Sequence, residues 1–330
     1  MRAVEAPKTR EVVVLAAGGT IAMAGDGPAV PALDADALIA AVPTLAHRPG
    51  LTARSLTGAP GVLISPADAL RIARAARDAT LTGTGVVVTH GTDTLEETAF
   101  LTDLLHGGEC PIVFTGAIRP ASAPGADGPA NLLDAVAAAA TPHTADLGVL
   151  VAFGGELHAA RDVRKVDSVS PLAFGSPRLG PVGFVREGVV ELARVVARRP
   201  PLSPASLDAT VHVVHAGLGT DGTLVRAALD AGADGLVGVV LGAGHSPPGF
   251  LEALIAAAER VPVVVTVRPE RGAVLRATYG FEGAEGDLRA AGLLLAGTLS
   301  PAAARIKLLA ALGAGLDRAG LAGAFAVDDP

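Results

Sequence analysis

Short valine-rich apolar runs alternate along the chain with longer Ala/Leu-rich stretches whose apolar positions recur at helical spacing. Residues 11–17, 86–90, 111–115 and 148–153 read as strands, apolar almost throughout, as strands covered on both faces are. Residues 67–79, 94–105 and 129–140 read as helices, the first opened by Ser65-Pro66, a capping serine before a first-turn proline. Between 185 and 208 the rhythm breaks at Arg198-Arg199-Pro200-Pro201-Leu202-Ser203-Pro204, which can continue neither a helix nor a central strand. It resumes with strand 211–215, helix 222–231, strand 235–241, helix 249–260 and strand 263–267, and a helix over 301–316 is expected to close the chain. The pattern predicts an α/β protein of two domains, 1–184 and 209–330 with a linker over 185–208, each holding a mainly parallel sheet flanked by helices.

Composition narrows the functional classes. The net charge of −7, with no Lys/Arg-rich block, argues against nucleic acid as a partner. The apolar stretches are too short to cross a bilayer and residues 1–10 hold no apolar signal core, so the expectation is a cytoplasmic protein without a membrane partner. Cys110 is the only cysteine and reads as a buried, inert thiol. Of the 26 basic residues only Lys8, Lys165 and Lys307 are lysines. Lys165 therefore departs from a strong arginine habit, and an ammonium, unlike a guanidinium, can give up its proton when desolvated.

Three polar signatures follow strand-like runs: Ala17-Gly18-Gly19-Thr20-Ile21-Ala22, His90-Gly91-Thr92-Asp93-Thr94 and Arg161-Asp162-Val163-Arg164-Lys165. All three can reach one rim of a parallel sheet, where two hydroxyls, a carboxylate and an amine have the makings of a threonine-nucleophile hydrolase. Plainer readings stand beside this one. Thr20 could cap a turn, Asp93 or Thr94 could cap the helix that Glu96 and Glu97 open, and His90 could be a hydrogen-bonded strand-end residue. A dinucleotide loop fits poorly because Gly18-Gly19 is not G-x-G-x-x-G, and Gly242-Ala243-Gly244-His245-Ser246-Pro247-Pro248-Gly249, with prolines where phosphate-binding amides are needed, reads better as a helix-entry loop. Neither zinc-like spacing of His and Cys nor a G-x-S-x-G elbow occurs.

Together these segments resemble the bacterial-type L-asparaginase family of threonine amidohydrolases. Gly18 to Ala22 matches G-G-T-I-A and Thr89 to Thr98 matches T-H-G-T-D-T-x-E-E-T. G-A-x-R-P falls at Gly116 to Pro120, A-D-G-P-x-N-L at Ala126 to Leu132, R-D-V-x-K at Arg161 to Lys165, and G-T-L-x-P at Gly297 to Pro301. The resemblance implies a Rossmann-like topology, no cofactor and no metal, and a homodimer or homotetramer with sites at subunit interfaces. It makes Thr20 the nucleophile on a side-chain amide and makes Thr92, Lys165 and Asp93 the activating group. Asp93 also implies an anchor for the substrate's α-ammonium, shared with a Glu285 supplied by a neighbouring subunit. Gly61, Ala117 and His245 fall at the remaining substrate-binding positions. The implied reaction is hydrolysis of asparagine to aspartate and ammonia through an acyl-enzyme.

The chain departs from the family pattern around that core. Ala17 stands where a threonine is usual, the lid over 23–31 has no tyrosine, Gly61, Val62 and Leu63 occupy the segment that commonly offers a serine and a glutamine or aspartate, and His245 replaces an asparagine. A glutamine or other amino-acid amide substrate, or a non-catalytic binder of an acidic amino acid, are the rival expectations. Retention of Thr20, Thr92, Asp93 and Lys165 together weighs against the binder, which has no use for an amine beside a hydroxyl.

Overall fold

The computed structural model describes residues 10–25 and 28–328. They fall into two compact units, the first ending at Pro201 and the second starting at Leu202. In the first, eight strands run edge to edge as Val189–Leu192, Gly183–Arg186, Glu156–Ala159, Val149–Phe153, Ile112–Thr115, Gly85–Thr89, Val12–Ala16 and Leu51–Ser55. The five from Val149–Phe153 to Leu51–Ser55 are parallel and the other three antiparallel. The central strands are buried on both faces: Val12, Val14 and Ala16 pack with Leu38, Leu132 and Ala135, while Leu15 and Ala17 pack on the opposite side with Ile72, Leu95 and Ala99.

Strand Val12–Ala16 lies between Gly85–Thr89 and Leu51–Ser55, so the chain leaves the two neighbouring strands Val12–Ala16 and Gly85–Thr89 toward opposite sides. Such a reversal opens a crevice at the carboxyl ends of the two strands, the usual ligand position in this architecture. Those ends are level, with Ala16 paired to Thr89 and the Ala17 amide donating to the Thr89 carbonyl at 2.9 Å.

The expected linker is not a free tether. Residues 185–192 belong to a hairpin on the sheet edge, turning at Glu187 (φ 52°) and Gly188 (φ 77°), a pair of left-handed residues that suits a two-residue strand connection. Past it, the Arg198 guanidinium donates to the carbonyls of His106, Gly108 and Ala145 in the first unit. Within the second unit, the Ala205 amide donates to the Gly313 carbonyl. Prolines bar regular structure there, but side chains and main-chain bonds still anchor the segment.

The second unit holds four parallel strands in the order Val211–His215, Gly235–Val240, Val263–Val267 and Leu294–Leu295, with helices Thr223–Asp230, Pro248–Ala258 and Pro301–Gly313 packed around them. The helix expected over 301–316 stops at Gly313, and a further helix, Arg318–Ala326, opens at the Asp317 cap. The buried Lys307 ammonium pairs with the equally buried Asp328 carboxylate just beyond that last helix and lies 5.1 Å from the Phe325 ring centre. Lys307→Met removes the ammonium partner of a buried carboxylate and should lower unfolding stability by about 3–5 kcal/mol, measured by urea denaturation. A loss under about 1 kcal/mol would show that the pair does not hold the C-terminal helix.

Candidate active site

Gly18 and Gly19 deliver Thr20 to the crevice. Both have positive φ (86° and 91°), and each is pressed against main chain: a Cβ on Gly18 would lie 2.3 Å from the Ala59 carbonyl oxygen, and one on Gly19 2.4 Å from the Gly91 nitrogen. Only glycine fits either place. Thr20 then opens a single 3-10 turn, Thr20–Ala22, whose cap position is Gly19, so its hydroxyl is not spent on capping.

The segment after strand Gly85–Thr89 escapes the capping explanation as well. Helix Leu95–Leu105 has Thr94 at its cap position without a side-chain capping bond; the Thr94 hydroxyl donates instead to the Gly61 carbonyl at 2.8 Å. A Cβ on Gly91 would lie 2.5 Å from the Gly61 amide nitrogen, so the 61–63 turn, the Thr20 turn and the Thr92 segment meet around one glycine. The His90 ring is buried, and its Nδ1 lies 2.8 Å from the Gly91 carbonyl oxygen, which assigns the proton to Nδ1. Burial lowers the His90 pKa, with the Gly91 bond acting in the opposite sense, and a neutral ring pinned to its own loop reads as a structural residue.

Lys165 comes from a two-residue ladder, Arg164–Lys165 against Phe174–Gly175, outside the main sheet. Its Nζ donates to Thr92 Oγ1 at 2.9 Å and to Asp93 Oδ1 at 2.8 Å. The lysine side chain is 20% exposed and the aspartate 62%, so the ion pair itself adds little stability. What it provides is a fixed amine against a hydroxyl. Sequence reasoning missed Glu96, whose Oε2 accepts the Lys165 backbone N–H at 2.5 Å. Burial raises the Glu96 pKa, opposed by the Lys165 amide and by the charges of Arg164 and Lys165.

In the second unit Glu285 is buried, with Oε1 accepting the amides of Thr278 and Tyr279 at 2.5 and 2.8 Å. Burial alone would raise its pKa, but the amides of Tyr279, Glu285 and Thr278, with His245, hold the carboxyl below the usual range. Its Oε2 has no hydrogen-bond partner among the described residues and lies 4.0 Å from His245 Nε2, likewise unpartnered. The His245 ring is edged by Tyr279 and Phe281 at 4.7 and 5.0 Å. Among the described residues no group of three or more His, Cys, Asp or Glu is placed to hold a metal, and no helix is long and apolar enough to cross a membrane.

Two family profiles cover nearly all of the chain: the one described as Asparaginase, N-terminal, matches residues 11–198, and the Glutaminase/Asparaginase C-terminal domain matches residues 210–325. The chain belongs to the asparaginase family. It is 42% identical over 237 residues to a probable L-asparaginase of Deinococcus radiodurans, covering 71% of this chain and 72% of that protein. It is 32% identical over 313 residues to L-asparaginase 2 of Escherichia coli, covering 91% of this chain and 88% of the relative. A Glutaminase-asparaginase of Pseudomonas fluorescens shares 38% identity over 202 residues, 58% of this chain and 55% of that one. Among solved structures, a probable cytoplasmic L-asparaginase from Campylobacter jejuni superposes with a TM-score of 0.85 at 29% identity, covering 96% of this chain and 98% of that one.

Against the asparaginase pattern, the G-A-x-R-P and A-D-G-P-x-N matches acquire a structural reason. Asp127 accepts the amides of Ile118 and Arg119 at 3.0 and 2.8 Å, and Asn131 bridges the Gly116 carbonyl and the Gly154 amide. These bonds fix the turn on which Ala117 sits. The Ala117 side chain is buried in the core with Leu132, which leaves only its main chain for a ligand. In the segment expected to form the lid, Met23–Ala24 pairs antiparallel with Val30–Pro31 and Ser122 bonds to Gly25; residues 26 and 27 of that segment lie outside the described residues.

Proposed function

We propose that this chain is an L-asparaginase-type amidohydrolase that attacks the substrate's side-chain amide with Thr20. The observation that carries the reading is the Lys165 ammonium bonded to both Thr92 Oγ1 and Asp93 Oδ1 at the carboxyl end of strand Gly85–Thr89, level with the Thr20 turn. In the proposed reaction the Thr20 hydroxyl oxygen adds to the amide carbon, and its proton passes through Thr92 and Lys165 to the departing nitrogen. Ammonia leaves, an ester forms on Thr20, and water then releases aspartate. Lys165 suits the relay because an amine can both give and take a proton. Asp93, bonded to Lys165 through one oxygen and largely exposed, presents the other to the α-ammonium of the substrate. Glu285, whose buried Oε2 is left without a hydrogen-bond partner among the described residues, is proposed to supply the second anion from a neighbouring subunit of a homo-oligomer. The proposed compartment is the cytoplasm, in keeping with the Campylobacter jejuni protein, although a probable L-asparaginase of Haemophilus influenzae, 33% identical, is named periplasmic.

A second reading keeps this chemistry with glutamine or a larger amide as substrate. It is favoured by Gly58-Ala59-Pro60-Gly61, which offers no side-chain donor, and by the tyrosine-free lid. Loss of polar contacts relaxes discrimination between related substrates. Ammonia release from L-asparagine, L-glutamine and their D-forms decides between them: asparagine preferred by tenfold or more in kcat/KM supports the first, about equal rates the second. Tight aspartate binding without release from any amide would overturn both. Glu285→Ala should raise KM about tenfold or more while kcat changes less, and an unchanged KM removes Glu285 from the site.

A further inference from the structure

Two bonds fix the tip of Lys165 but do not fix the lysine. A lysine side chain has four rotatable bonds, and the ladder that carries Lys165 is two residues long. That ladder does not occupy the Lys165 N–H, which points to Glu96 Oε2 at 2.5 Å. Glu96 is half-buried in the first turn of helix Leu95–Leu105, three residues after Asp93. One stretch of five residues, Thr92 to Glu96, therefore grips Lys165 at both ends, the ammonium by Thr92 and Asp93 and the main chain by Glu96. The span between the two grips is set by the turn over residues 92–94 and the first residues of the helix, and the Lys165 side chain runs from one grip to the other.

We infer that Glu96 is a positioning residue for Lys165, fixing through its bond to the Lys165 main chain where the amine meets Thr92. It touches no reacting atom. The kinetic part of the inference rests on the amidohydrolase reading; the geometric part does not. Two features of Glu96 are separable, its acceptor oxygen and its charge beside Arg164, and the inference assigns the effect to the acceptor.

The test compares Glu96→Ala, Glu96→Asp and Glu96→Gln with the parent, each shown to be folded by circular dichroism. Glu96→Gln keeps an acceptor at the same reach and should hold kcat within about threefold of the parent. Glu96→Ala should lower kcat by about 10²-fold with KM within about twofold, as displacement of a reacting group by an ångström does. Glu96→Asp, whose oxygen falls one methylene short, should also lose kcat and stands in if the alanine variant does not fold. A Glu96→Gln loss as deep as that of Glu96→Ala would assign the effect to the charge and overturn the inference, as would a loss carried by KM. A second readout needs no turnover: with only three lysines in the chain, acetylation of Lys165 by acetic anhydride is followed by peptide mass spectrometry. Lys165 should be acetylated about tenfold faster in Glu96→Ala than in the parent and at the parent rate in Glu96→Gln, since a released amine samples solvent more often. Equal rates in all the proteins overturn the inference. If the parent releases no ammonia from any amide, the amidohydrolase reading fails, and the acetylation rates alone decide the positioning.

Discussion

Lys165→Met should leave a folded protein whose ammonia release falls by about 10³-fold or more, within the range expected when a proton-transfer group is lost. Methionine approximates the length and volume of the lysine chain, so the substitution removes the charge and the donor without opening a large void. Two acceptors, Thr92 Oγ1 and Asp93 Oδ1, then face each other without the amine that joins them. Lys165→Arg is the sharper control. A guanidinium keeps the positive charge and can still bridge Thr92 and Asp93, yet it does not deprotonate, so a relay through this position should fail almost as completely. Thr20→Ala should fall as far as Lys165→Met, and the double variant no further than either, because groups in one proton path are not additive. Kinetics on the best amide, with folding checked by circular dichroism, measure all four. Lys165→Met activity within tenfold of the parent would remove the amine from the reaction.

Gly19→Ala should be nearly as damaging although it changes no chemical group. A Cβ there sits 2.4 Å from the Gly91 nitrogen and 2.5 Å from its Cα, and the φ of 91° with ψ of 177° is a conformation that non-glycine residues avoid. Backbone strain and overpacking together should cost about 2–5 kcal/mol of stability. More telling is the kinetic loss, about 10²-fold in kcat, because the clash must push the Thr20 turn away from the Thr92 segment. Gly323→Ala, in the C-terminal helix with open space around it, is the matched control and should raise stability by about 1 kcal/mol or less while leaving kcat at the parental value. Calorimetry and steady-state kinetics on the two variants provide the comparison; a Gly19→Ala enzyme with parental kcat would mean that the turn tolerates displacement.

The central strands were legible because burial on both faces leaves unbroken runs such as Val86-Val87-Val88. Edge strands carry weaker signals. Leu51–Ser55 mixes threonine, arginine and serine with its apolar residues because it faces solvent along one side, and periodicity alone does not separate it from a loop. The Gly183–Arg186 and Val189–Leu192 hairpin carried a usable sign in Glu187-Gly188 between Phe184-Val185 and Val189-Val190, outweighed by the charges and prolines downstream. At the site, the rarity of lysine singled out Lys165, and the structure places its amine on Thr92 and Asp93. Glu96 was hidden because a first-turn glutamate is expected at any helix start, where it favours the dipole. Only the fold brings a segment 69 residues further along to its carboxylate.

The approach of the Thr20 turn to its neighbours is made by main chain, Gly18 on the Ala59 carbonyl and Gly19 on the Gly91 amide. Transplanting the proposed reaction centre into another scaffold therefore means copying a path of peptide planes, because no set of grafted side chains would reproduce it. The same property makes the place of the Thr20 hydroxyl depend on two glycines more than on the side chains around it.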